Sequence, residues 1–120
     1  MKSVSLAIKH TFTIRDNIHL CHLYTSNLNE HEVLDDFYKK VIDFADRMFE
    51  SQKGIDPNFR ISISEIKISK GLNAKKLIEA YQKAIIDIRD SLNEEEGSIS
   101  SIIDEIIELT SSTLYKLRME

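Results

Sequence analysis

Apolar residues recur at the three-and-four spacing of amphipathic helices over four long stretches of this chain, and at a spacing of two over one short stretch. The first helical stretch runs from about Ser3 to Ser26, with Ile14, Ile18, Cys21 and Thr25 in one stripe and His22 beside it. The second opens near Asn29, read as an N-cap with Glu32 as its capping-box partner, and stops at Gly54 after Lys53. Its apolar stripe is Leu34, Phe37, Tyr38, Val41, Phe44, Ala45 and Met48. The third follows Gly71 with Asn73 as N-cap and is expected to bury Leu77, Tyr81, Ala84, Ile85, Ile88 and Leu92. The fourth starts at Ser98, just past Gly97, and is expected to bury Ile99, Ile103, Ile106, Thr110, Thr113 and Leu117. Short links after the first and third stretches make those neighbours antiparallel, as in a four-helix bundle.

Between the second and third helices the chain reads GIDPNFRISISEIKISKGL, too long for a tight turn. Ile61 and Ile63 alternate with Ser62 and Ser64, and Ile66 and Ile68 with Lys67 and Ser69. That period predicts an extended segment crossing the bundle from end to end. One long connection of this kind is typical of ferritin-like folds. No repeat or linker divides residues 1–120. The expectation is therefore one all-α domain, a ferritin-like four-helix bundle with a long, partly extended crossover between helices 2 and 3.

Composition agrees: three Gly, one Pro and no Trp suit a helical chain with few tight turns. The lone Cys21 has no partner for an internal disulfide, so a reducing cytoplasm fits best. No apolar run approaches membrane-spanning length, and MKSVSLAIKH lacks a secretory core. A net charge of −4 argues against a general nucleic-acid binder.

Candidate chemistry concentrates on the second helix, HEVLDDFYKKVIDFADRMFE over residues 31–50. His31 and Asp35 are one turn apart, as are Asp46 and Glu50, and all four fall within roughly a 100° arc. Asp35 and Asp46 are separated by about three turns and point in nearly the same direction. One imidazole and three carboxylates on a stripe suit a hard or borderline metal such as iron or manganese. A solvated charged face accounts for the same residues, and Lys39 stands where it could pair with Asp35. The stripe's centre lies roughly 120° from that of the apolar one. A metal site there would be half-formed on one subunit and completed by something beside it. Other clusters read more simply. His19 and Cys21 point apart on a helix, Ser98, Ser100 and Ser101 mark a helix start, and Glu94 to Glu96 form a solvated turn. Asp104 and Glu108 read as one turn of exposed acids.

HEVLDDFY followed by DRMFE resembles the ferroxidase-site helix of the Dps proteins, the ferritin-like DNA-binding proteins of starved cells. His31, Asp35, Asp46 and Glu50 stand in that family's register, and His22 in HLCHLYT matches its further histidine. HLYTSNLNEHEVLDDFY is also similar to small Dps-like proteins of phages and large DNA viruses, with Leu23 where those usually have Trp. The likeness covers roughly residues 12–54. It implies an iron site of His22, His31, Asp35, Asp46 and Glu50 between two antiparallel subunits, with manganese or zinc as alternative occupants. In the family, the first-helix His and the later Asp–Glu pair come from one subunit, and the earlier His–Asp pair from its partner. It further implies a homo-oligomer, at least a dimer, that oxidises Fe(II) with peroxide or oxygen and protects against oxidative stress. The chain departs from bacterial Dps proteins in a shorter His22–His31 connection, an extended 54–72 segment and no basic tail, so DNA binding is not expected. The other class open to this sequence is a non-catalytic ferritin-like helical protein, a structural or interaction module, for instance of a virus.

Overall fold

Each long helix begins or ends where a polar side chain can replace a missing backbone bond. The computed structural model describes residues 2–63 and 65–119. It contains α1 (Lys2–Tyr24), α2 (Leu28–Ile55), α3 (Ala74–Ser91) and α4 (Gly97–Leu117), with a single 3₁₀ turn at Glu94–Glu96 before α4. Among the described residues there is no strand. The cap of α2 is Asn27, whose side chain accepts from the Glu30 amide, and not Asn29 as the capping-box pattern suggests. Asn29 instead donates to the Lys116 and Met119 carbonyls, tying the start of α2 to the end of α4. α3 is capped by Asn73 as expected, through the Lys76 amide.

α1 packs against α2 and α3, and α4 packs against the same two, so the four helices form a square in the order α1, α2, α4, α3. Ser3 at the start of α1 meets Ser91 at the end of α3, and Ser51 near the end of α2 meets Ser98 at the start of α4. Every neighbouring pair is therefore antiparallel. The result is 44 Å long, close to the roughly 42 Å that a helix of α2's length spans alone.

A connection from the end of α2 must return the full length of the bundle to start α3. Its first residues are pinned by Phe59, which is buried and meets the Phe49 ring at 5.7 Å. Ile61 lies in the α1–α2 groove with Ile8, Phe12, Ala45 and Phe49. The Ser62 amide then donates to Ser5 Oγ, and further along Asn17 donates to the Lys67 carbonyl and accepts from the Ser69 amide. Asn17 faces the α3 side of α1, beside Leu77 and Tyr81. The segment thus crosses the outside of α1 diagonally, from the α2 groove to the α3 groove. Its alternation is the expected one as far as Lys67, with Ile61, Ile63 and Ile66 half-buried and Ser62, Glu65 and Lys67 exposed. It inverts at the end, where Ile68 is exposed and Ser69, held by Asn17, is half-buried. Ser64 lies outside the described residues.

The core matches the helical stripes closely, with several corrections. Ile78 is fully buried on α3, while Leu77 and Ala84 sit at its edge. Thr25 and Leu92 fall just beyond their helices, and Leu117 is only half-buried. α2 does not stop at Gly54 but continues to Ile55, where Asp56 and Pro57 end it; no glycine takes a positive φ among the described residues, so no glycine-specific cap forms. Glu96, read as part of a solvated acidic turn, is buried, its carboxylate accepting from the Asn93 amide. That bond closes the α3–α4 link and leaves only Glu94 and Glu95 in water.

Candidate metal centre

The link between α1 and α2 is only residues 25–27, so the last turn of α1 and the first turn of α2 face each other. His22 and His31 occupy those turns, and their rings stack at 3.9 Å between centroids. Each ring is also tied to the other's backbone. His22 Nδ1 is 2.8 Å from the His31 carbonyl, and His31 Nδ1 is 3.1 Å from the His22 carbonyl. The second bond satisfies one of the carbonyls left over at the end of α1.

A carbonyl oxygen only accepts, so both Nδ1 atoms must carry the proton. Both Nε2 atoms of the neutral rings are then left with lone pairs. This backbone tether on the non-ligating nitrogen is the arrangement that metal-binding histidines use. His22, itself buried, points Nε2 at Asp35 Oδ1, 3.7 Å away, beyond hydrogen-bond reach. Two donors each about 2.1 Å from a tetrahedral ion stand roughly 3.4 Å apart, so this pair is close to the span a metal would need. Nitrogen and carboxylate donors together suit zinc, iron or manganese.

Around this pair lies an aromatic collar. His19 stacks on Tyr38 at 4.2 Å and 11°, and Tyr38 lies 5.4 Å from the His22 ring. His19 and Tyr38, both half-buried and Tyr38 packed against the core as expected, meet each other and shield one side of His22. Only the approach of α1 to α2 reveals this, since neither helix's own pattern pairs them.

Lys39, one turn along, donates to Asp35 at 3.0 Å. That hydrogen bond holds the Asp35 carboxyl below the ordinary carboxylate range, with smaller help from the charges of Lys39 and His22 and from the Tyr38 hydroxyl. The salt bridge read as an alternative to metal binding is thus present.

Asp46 and Glu50 lie farther down the same flank of α2, bordering the cleft of about 230 Å³ that holds Phe12, Phe49 and Ile61. Both are exposed, and neither has a hydrogen-bond or ion-pair partner among the described residues. The structure therefore groups the five predicted ligands as His22, His31 and Asp35 at one end and Asp46 with Glu50 some three turns away. Within one chain, no three His, Cys, Asp or Glu side chains among the described residues converge on a metal. The grouping also departs from the division that the Dps resemblance implies. His22 stands with the earlier His–Asp pair because the short link brings the ends of α1 and α2 into contact.

A model of the Family of unknown function (DUF5856) matches residues 22–117. The chain belongs to this family. The DUF5856 match starts at His22 itself, so it takes in all five predicted ligands together with α2, the crossover, α3 and all of α4. No curated protein and no solved structure matches the chain.

Proposed function

We propose that the protein is a Dps-like, ferritin-like iron binder that works as a two-fold dimer, with Fe(II) as substrate at a site shared between subunits. The observation that carries this reading is the reciprocal His22–His31 tether, which fixes both tautomers and leaves an Nε2 lone pair on each ring, that of His22 directed at Asp35. A structural histidine pair would need only one such bond to satisfy the helix end. Support comes from the register of α2. A two-fold axis across the helix near Lys40 and Val41 would pair each residue with one whose number makes a sum of about 81, setting His31 opposite Glu50 and Asp35 opposite Asp46. The unpartnered acids of one copy would then face the histidines of the other.

In such a site His22 and His31 would supply neutral nitrogen donors, and Asp46 and Glu50 the anionic oxygens that favour Fe(III) over Fe(II). Asp35 would be released from Lys39 on binding. Two Fe(II) would give one electron each to hydrogen peroxide, which takes up two protons and leaves as two waters. Removing both reactants together suppresses hydroxyl-radical formation.

The Lys39–Asp35 bridge favours the second reading, a non-catalytic bundle serving as a structural or interaction module. Mixed dimers separate the two. A His22→Ala/His31→Ala protein and an Asp46→Ala/Glu50→Ala protein should each lose iron after anaerobic Fe(II) loading, as read by metal content and native mass. Unfolding and refolding them together should restore about a quarter of the wild-type sites, because one site in each mixed dimer is whole. No restoration, or iron retained by either variant alone, would reject the shared site.

A further inference from the structure

A cleft of about 650 Å³ lies at the opposite end of α1 from the histidines. That is the size of pockets that hold small organic molecules. One wall is α1, with Ser5, Leu6 and Lys9; the other is the start of the crossover, with Phe59, Arg60 and Ser62. The walls are fixed to each other, since the Ser62 amide donates to the buried Ser5 hydroxyl oxygen at 2.9 Å. Phe59 is held from beneath by Phe49, so the crossover wall is anchored at its base too.

The charges in this cleft are unbalanced. Lys9 and Arg60 come from different elements, and neither has an acidic partner among the described residues. The one carboxylate on the rim, Asp56, accepts the Asn58 amide in a local turn. Leu6 leaves 44% of its surface exposed in the same opening. Two unpaired cations beside an exposed apolar side chain, in a chain whose net charge is −4, form a local exception that surface solvation does not require.

We infer that this cleft binds a small organic phosphate, its anionic group held between Lys9 and Arg60 and its less polar body lying over Leu6. The Arg60 guanidinium offers a planar fork that matches phosphate oxygens, Lys9 a point charge, and the serine hydroxyls further donors. The inference is independent of the metal reading, because the cleft shares no residue with the five predicted ligands.

Amide chemical-shift titration of the full chain tests it, with adenosine monophosphate, inorganic phosphate and adenosine as probes. The monophosphate should give saturable shifts confined to residues 3–9 and 56–62, and adenosine none. Lys9→Ala/Arg60→Gln should weaken the monophosphate by about tenfold or more, while the circular-dichroism melt stays unchanged. If that variant fails to fold, the single Arg60→Gln should still weaken it several-fold. Absence of saturable shifts, shifts centred elsewhere, equal binding of adenosine, or undiminished binding by the charge variants would each overturn the proposal. Binding of inorganic phosphate as tight as the monophosphate would overturn the organic body.

Discussion

Thr11 donates its hydroxyl proton to the Ala7 carbonyl, so the Tyr81 phenol, 2.8 Å away in the core, must be the donor in the bond between them. Burial pushes the phenol's pKa well above its ordinary range, and the Thr11 bond offsets only part of that. Tyr81→Phe leaves Thr11 with its Ala7 bond and no orphaned donor, so it should cost only about 1 kcal/mol in urea unfolding. His10, between α1 and α3, responds to solvent more strongly. Burial, and then the charge of Lys9, lower its pKa from 6.5. Below pH 6.5 the unfolded chain therefore takes up His10's proton more readily than the folded one. The stability it contributes is present above that value and is lost as pH falls through the lower folded-state pKa. The drop in urea midpoint between about pH 7.5 and 5 should be smaller in His10→Gln than in the natural protein. An equal drop in both would overturn the assignment to His10.

At the scale of elements, helix ends are where reading the sequence and seeing the structure part. The three-and-four pattern located all four helices, because each must bury one apolar face whatever its neighbours do. It did not locate the α2 cap. Asn27 and Asn29 both precede an apolar run, and the choice rests on tertiary geometry: Asn29 is needed across the bundle, at the end of α4. The two asparagines should therefore fail differently. Asn27→Ala should cost about 1 kcal/mol and loosen the first turn of α2. Asn29→Ala should leave that turn intact and raise amide exchange in the last turn of α4. The crossover was legible for the same reason as the helices, since Ile61, Ile63 and Ile66 meet one buried side, though the pattern fails at Ile68, which is exposed. What no periodicity shows is its path over α1, fixed by Asn17 and Ser5, two polar residues in a helix read for its apolar stripe.

Across the whole molecule, charge and shape divide the ends of the bundle. The α1–α2 turn gathers His22, His31, Asp35 and Tyr38, while the end where α2 passes into the crossover gathers Lys9 and Arg60. The candidate ligands were legible as types and spacings on α2, because a helix converts sequence distance into direction. Their grouping was not, because the pairing of His22 with His31 depends on how tightly a three-residue link folds. Asp46 and Glu50 carry like charge at one-turn spacing with no partner among the described residues, a small cost that a second copy or a cation would remove.

The crossover has one more consequence, for how the protein opens. Its Ser62 and Ser69 amides are held by side chains of α1 and by no regular ladder, across sequence separations of 57 and 52 residues. Releasing those bonds costs the helices none of their own hydrogen bonds. The segment should therefore detach in a partial opening well below the free energy of global unfolding. Native-state hydrogen exchange would show it as Ser62 and Ser69 exchanging together, with a smaller denaturant dependence than Ile85 in the centre of α3. Limited proteolysis would then cut between the two helical hairpins before it cuts within either.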